Sequence, residues 1–332
     1  MGRIIFLKLI SKLIPLISLF PPETAHSISL NSLKVLSYFN FKKVNPSSSK
    51  NIEIMNLNLS NRLGLAAGMD KNADYIDCLS NLGFSFLELG TLTPRPQKGN
   101  LKPRLFRLRE EKSLINSMGF NNKGIEHAIE RVKSSNSRAV IGLSIGKNFD
   151  TPLEKAAEDY HFCLEKAYPV CDYIAVNISS PNTKDLRKLE GEKYFSELTS
   201  SIKKKQEIFS KEFGYKPVVF KLSPDMQEWD LENISKQVLD KGIDGIVYSN
   251  TTINHNYPYE GGLSGEELFE ISNKNLVALR NFLGSSFPII ASGGVMSRDH
   301  FKKKLELGAD LVQIYTGMIY KGPALIKEIL DS

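Results

Sequence analysis

In the stretch Ala175–Asn182, AVNISSPN, two serines and two asparagines crowd around Pro181 directly after an apolar run. Other apolar runs close on Lys71, Thr91, Ser144, Lys221, Asn250, the pair Gly293 and Gly294, and Thr316. Together these residues offer amides and hydroxyls that donate and accept, two ammonium groups and glycine backbone, with no histidine or carboxylate cluster among them. Metal ligation and hydrolysis by paired carboxylates are thereby disfavoured, so a bound cofactor has to bring the reactivity. Asn116, Asn177, Asn182 and Asn250 could jointly read a small planar ligand with amide and carboxylate edges. Singly, each asparagine reads equally well as a cap or turn residue, and Lys71 or Lys221 as a rim ion-pair partner.

Those residues share one kind of position, the end of a short apolar run. The runs are LGLAAG (63 to 68), FLELGT (86 to 91), AVIGLSIG (139 to 146), YIAVNISS (173 to 180), VVFKLS (218 to 223), GIVYSNT (245 to 251), PIIASGG (288 to 294) and LVQIYTG (311 to 317). Helix-like stretches separate most of them, such as Leu153–Tyr168, Leu231–Leu239 and Glu266–Phe282. Near-continuous apolar strands alternating with helices imply a parallel sheet covered by helices. Eight units point to an α/β fold of the TIM-barrel type, a (β/α)8 barrel, with an open doubly wound sheet as the weaker rival. In such a barrel the C-terminal strand ends form the active site, and strands seven and eight often hold a phosphate. ASGGV, YTG and the upstream GGLSG supply glycine amides and a hydroxyl there. A phosphate-bearing flavin is a candidate, since Lys71 and Lys221 could stabilise negative charge on its ring system.

Two segments break the rhythm. IEIMNLNLSN (52 to 61) alternates with period two and predicts a hairpin closing the barrel bottom, while residues 91–108 are too rich in proline and glycine for a helix and predict an excursion with short strands. NPSSSK (45 to 50) reads as a linker.

The N-terminus differs in kind. Ile4–Phe20 is dense in leucine and isoleucine, yet falls short of the ~20 residues of a membrane span and contains Lys8, Lys12 and Pro15. Its spacing sketches a helix lying in a membrane surface, with Ile4, Ile5, Leu9, Leu13, Leu16 and Leu19 on the apolar face. A signal peptide is the rival reading, without a clear cleavage site. Ile28, Leu30, Leu33, Leu36 and Phe39 predict a second amphipathic helix after Pro22. Both helices could equally pack on the main domain. The expected division is residues 1–44 as a helical extension and 45–332 as the barrel.

With 41% hydrophobic and 24% charged residues the chain is globular. The net charge of +6 comes from lysines and arginines interleaved with acids, and the runs Lys203–Lys205 and Lys302–Lys304 are expected on solvated helix faces. No motif supports nucleic-acid binding. Cys78, Cys163 and Cys171 have neither CxxC nor paired-histidine spacing, so a reducing compartment and apolar packing are expected, without a metal site.

GLAAGMDKNA, ELGTLTPRPQKGNLKPRLFRL, INSMGFNNKG, IGKN, VNISSPNT, GIVYSNTT, GGLSG and LVQIYTG resemble, in order, the motif series of the dihydroorotate dehydrogenases, flavin enzymes of pyrimidine synthesis. The resemblance covers about residues 52 to 330. It is strongest to the membrane-associated, quinone-using class, whose base is a serine and whose paired amphipathic helices lead quinone to the flavin. A soluble fumarate- or NAD-linked enzyme, or another FMN-barrel reductase, is the alternative.

The resemblance implies that Ser180 takes the C5 proton of dihydroorotate, with Thr183 and Phe120 defining a small water relay. Substrate would be held by Lys71, Asn116, Met118, Gly119, Phe120, Asn177, Asn182, Asn250 and Thr251. One FMN per subunit would be held by Ala67, Gly68, Lys71, Thr91, Ser144, Asn177, Lys221 and Ser249, with its phosphate on Gly265, Gly294, Tyr315 and Thr316. It further implies orotate as product, quinone as oxidant, a membrane lipid surface as contact for the N-terminal helices, a monomer, and peripheral attachment to the cytoplasmic side of the cell membrane. The chain departs from the family pattern at Ser144, where asparagine is usual, at Ser60 and Arg62 around Asn61, at Ser292 of ASGG, and in the short segment before GGLSG.

Overall fold

The computed structural model describes residues 14–37 and 51–331. Its centre is a closed barrel of eight parallel strands, β3 (Leu63–Leu65), β4 (Phe86–Leu92), β7 (Val140–Ile145), β8 (Tyr173–Asn177), β9 (Val218–Leu222), β10 (Gly245–Tyr248), β12 (Ile289–Ala291) and β13 (Leu311–Ile314). They neighbour one another in chain order, and β13 pairs with β3 to close the ring. All eight expected runs are strands of this barrel. Every residue of β4, β8 and β9 is buried, because helices cover one face and the barrel interior the other, which is why these strands read as unbroken apolar runs.

The hairpin is present. β1 (Ile52–Ile54) and β2 (Leu57–Leu59) pair antiparallel, with Ile54 opposite Leu57. The two loop residues, Met55 and Asn56, both have positive φ, 54° and 58°, the backbone of a type I′ turn. Leu57 and Leu59 pack with Phe86, Tyr173, Val219, Val247 and Leu311 inside the barrel, so the hairpin plugs its lower end. Ring and glycine alternate there: a Cβ on Gly142 would lie 2.1 Å from the Tyr173 ring. The rest of the apolar core lies between the strands and the surrounding helices.

The excursion carries β5 (Leu105–Leu108) and β6 (Ser113–Asn116), which join β11 (Gly262–Gly265) in a three-stranded antiparallel sheet. The helix Pro22–Ser37 lies against this sheet and the β3 loop. Arg104 grips Glu23 through two bonds of 3.0 Å, Tyr75 Oη donates to Asn31 Oδ1 at 2.9 Å, and Lys34 Nζ donates to the Asp74 carbonyl at 3.2 Å. Arg107 and Arg109 donate to the Ser18 carbonyl, and Arg107 also to that of Phe20. The expected second helix is therefore real and ends at Ser37; Phe39, the linker at 45–50 and residues 4–13 of the first apolar stretch lie outside the described residues. No described helix is long and apolar enough to cross a membrane.

One expectation fails. Lys302 and Lys303 are exposed, but Lys304 is fully buried, because one residue step turns a helix by about 100° and places it on the inward face with Phe301. All three cysteines are free and buried, and burial pushes the Cys78 and Cys171 thiols up to about 12.

Candidate active site

The strand ends converge on one cavity at the barrel mouth, which encloses about 990 Å³ with its opening included. Of the residues singled out from the sequence, Ala67, Gly68, Lys71, Thr91, Asn116, Met118, Gly119, Phe120, Asn177, Ser180, Asn182, Lys221, Ser249, Asn250, Thr251, Gly265, Gly294, Tyr315 and Thr316 all line it. All four asparagines share this one wall, while Asn177 and Asn250 also serve their turns by accepting the Ser179 and Thr251 backbone N–H groups at 3.3 and 2.9 Å. Ser144 and Thr183 do not reach the wall.

Lys71 stands on a turn folded by Asp70, whose carboxylate accepts the backbone N–H groups of Asn72, Asp74 and Tyr75 at 3.3, 3.0 and 2.7 Å. The Lys71 ammonium donates to the Gly68 carbonyl at 2.8 Å, and burial pushes its pKa down to about 8. Across the mouth, Lys221 points into the barrel from β9 and lies 3.4 Å from Glu88, a fully buried carboxylate. Glu88 also accepts from Gln313 Nε2 at 2.8 Å and Tyr173 Oη at 3.3 Å. The sequence reading missed this floor. Its only signal is a charged residue inside the apolar run FLELG, which a strand buried on both faces tolerates only when the charge is paired.

The polar side chains are linked. Asn177 Nδ2 donates to Thr91 Oγ1 at 2.8 Å, Thr91 Oγ1 lies 3.0 Å from Ser144 Oγ, and Asn250 Nδ2 donates to Ser179 Oγ at 3.0 Å. Ser144 is thus fully buried behind Thr91 and meets the cavity only through it. Asn182 Nδ2 donates to Asn116 Oδ1 at 3.0 Å, joining the β8 loop to the antiparallel sheet. Asn100, which the sequence reading passed over, donates to the carbonyls of Ser117 and Asn182 at 2.9 and 3.2 Å and ties the same two loops from behind.

Ser180 follows β8 and faces the cavity, its Oγ accepting the Asn182 N–H at 3.3 Å. Thr183 lies just beneath in sequence, buried, and its hydroxyl has no hydrogen-bond partner among the described residues. Phe120 adopts φ 50° and stacks so closely on the β7 loop that a Cβ on Gly146 would come within 2.8 Å of its ring. Arg187 holds the loop in place, donating to the Ser179 carbonyl at 3.0 Å, the Thr251 carbonyl at 2.7 Å and Asp225 at 2.7 Å. One guanidinium thereby fastens the loops after β8, β9 and β10.

At the opposite end the wall is backbone. Gly265, Gly293 and Gly294 have φ of 109°, 97° and 77°, and a Cβ on Gly294 would sit 2.3 Å from Phe269 Cα. Thr316 Oγ1 lies 2.9 Å from Ser264 Oγ beside them. Glycine amides and hydroxyls without a carboxylate suit an anion.

A second cavity opens between the N-terminal helix and the barrel, and Lys71, Met118 and Tyr315 line both cavities. His26 faces this second space; burial pushes its pKa down to about 4, with the Lys71 charge adding to the effect, so it is a neutral imidazole at neutral pH.

Fold and mouth define a (β/α)8-barrel enzyme with its site at the C-terminal strand ends. The family profile for dihydroorotate dehydrogenase matches residues 49–332. A dihydroorotate dehydrogenase (quinone) of Acinetobacter baylyi is 44% identical over 96% of this chain and 97% of its own length, and that of Buchnera aphidicola is 46% identical over 98% and 99%. The structure of DHODH from Eimeria tenella in complex with ferulenol superposes with a TM-score of 0.88 at 31% identity, covering 98% of this chain and 93% of that one. The chain therefore belongs to the dihydroorotate dehydrogenase family, in its quinone-linked branch.

Proposed function

We propose that the barrel mouth holds one FMN and one dihydroorotate, that Ser180 is the base, and that the second cavity admits quinone. The family is flavin-dependent, and the residues present fit FMN in particular. Gly265 and Gly294 pack their backbone so tightly on Ser113 and Phe269 that neither tolerates a Cβ, which leaves bare backbone facing the cavity where a phosphate would lie, while Lys71 and Lys221 stand where a ring system would carry negative charge. The cofactor set is Ala67, Gly68, Lys71, Thr91, Asn177, Lys221 and Ser249, with Gly265, Gly294, Tyr315 and Thr316 at the phosphate and Ser144 behind Thr91. Bound there, FMN supplies the two-electron acceptor that takes a hydride from C6 of dihydroorotate and delivers the electrons to quinone.

The protein's own groups do the rest. Lys71 offers its ammonium to the substrate carboxylate. Asn116, Asn177, Asn182 and Asn250 present amides to the ring edge, with Met118, Gly119 and Phe120 completing the wall. The unpaired Thr251 hydroxyl provides a further donor. Ser180 Oγ accepts the C5 proton as orotate forms and gives up its own. Serine is a poor base unless that proton moves on, and we assign its relay to the buried, unpartnered Thr183 hydroxyl three residues along the same loop, together with Phe120 of the cavity wall.

Residues 1–44 form the quinone-side extension and 45–332 the catalytic barrel. Leu16, Leu19 and Phe20 are exposed on the extension, as is Val35, which suits a peripheral seat on the cytoplasmic face of the cell membrane. The enzyme acts as a monomer. The observation that carries this reading is the meeting of the two cavities at Lys71, Met118 and Tyr315, which lets substrate and quinone approach one cofactor from different sides. Denaturing the purified protein and identifying the released flavin tests the cofactor: FMN in a one-to-one ratio is expected, and FAD or flavin-free protein would contradict it.

A further inference from the structure

Among the described residues the phosphate end of the cavity carries no cationic side chain: Ser264, Gly265, Ser292, Gly293, Gly294 and Thr316 line it, while Lys71 stands on the turn after β3 and Lys221 on β9. A lysine does lie behind it. Lys304, on the helix Arg298–Glu306, is fully buried and donates to Ser272 Oγ at 2.6 Å, with its ammonium 5.3 Å from the Phe269 ring centre. Ser272 Oγ in turn shares its one proton between the Phe269 carbonyl at 3.0 Å and the Gly293 carbonyl at 3.2 Å. One helical turn before Lys304, His300 stacks on Phe269 at 4.0 Å, and its Nδ1 lies 2.9 Å from the Gly294 carbonyl and 3.4 Å from the Met296 backbone nitrogen.

A trans peptide unit is planar, with its C=O and N–H pointing opposite ways. Holding the Gly293 and Gly294 carbonyls toward the helices therefore turns the N–H groups of Gly294 and Val295 the other way, and both residues line the cavity. Neither N–H has a partner among the described residues. Orphaned amides at a buried wall mark a place for an acceptor.

We propose that Lys304, Ser272 and His300 are positioning residues for the flavin phosphate, aiming the Gly294 and Val295 amides at it while Lys304 supplies the cation its cradle lacks. This rests on the FMN reading above. A buried ammonium with one hydroxyl and one ring in direct contact is costly unless an anion lies nearby, and burial, only partly offset by the charge of Glu270, pushes the Lys304 pKa down to about 7. A dianionic phosphate beyond the glycine peptides offsets that cost.

Riboflavin, which lacks the phosphate, separates this role from a general structural one. Deflavinated full-length protein, Lys304→Met and Ser272→Ala would each be titrated with FMN and with riboflavin by flavin fluorescence quenching. In the unaltered protein FMN is expected to bind more tightly than riboflavin. Lys304→Met is expected to weaken FMN by about ten- to a hundredfold and leave riboflavin unchanged, with Ser272→Ala moving the same way by less. Ser272→Ala removes one oxygen and stands as the test if the lysine variant does not fold. Equal losses for both flavins, or no loss for either, would overturn the proposal. Unaltered protein that binds FMN no better than riboflavin would overturn the phosphate site itself, and with it this proposal.

Discussion

Replacing Ser180 by alanine is expected to leave the flavin bound and to slow its reduction by dihydroorotate by about 10²- to 10⁴-fold, the range that general-base groups contribute. The expectation follows from where the hydroxyl sits. Ser180 Oγ faces the cavity, and no histidine or carboxylate lines that wall to take over the C5 proton. The loop itself should survive the change, since Arg187 grips the Ser179 carbonyl and Asn182 bonds Asn116, neither through the serine side chain. Anaerobic stopped-flow mixing of the variant with dihydroorotate, read at the flavin band, measures the rate directly. Reduction at the unaltered rate would remove Ser180 from the base role.

Deleting residues 1–40 is expected to separate the two half-reactions. Flavin reduction by dihydroorotate should change little, because the described N-terminal helix contributes to the main core cluster only Leu30 and the partly buried Leu33. Quinone turnover should fall by about tenfold or more, because the second cavity loses the wall that positions its occupant. That wall is fastened by Glu23 to Arg104, by Asn31 to Tyr75 and by Lys34 to the Asp74 carbonyl, and all three ties go with the deletion. Membrane association should fall in parallel, with Leu16, Leu19, Phe20 and Val35 removed. Steady-state assays with a quinone analogue, set beside the anaerobic reduction rate, check this; an undiminished quinone rate would sink the tunnel assignment.

The barrel was legible because its strands are buried on both faces and so appear as apolar runs whose polar ends mark the mouth. Nearly every residue singled out at those ends lines one cavity, including four asparagines with ordinary explanations when taken singly. What stayed hidden is what one residue does for another across the fold. Glu88 reads as a lone charge in a strand until Lys221, Gln313 and Tyr173 are seen around it. Arg187 and Asn100 act on backbone carbonyls, which carry no mark of identity in a sequence. Ser144 ends its strand as the others do, yet the Thr91 side chain stands between it and the cavity. Lys304 was readable in principle: three successive lysines on a helix cannot share one face, and the third shares its face with Phe301.

The measurement that bears most directly on the assigned chemistry is the visible spectrum of the purified protein under anaerobic conditions, before and after dihydroorotate and then after a quinone analogue. A flavin band that bleaches with dihydroorotate and returns with quinone is the expected result, and it would establish cofactor, substrate and oxidant in one sample. A flavin band indifferent to dihydroorotate would contradict the assignment of the asparagine-lined mouth to that substrate.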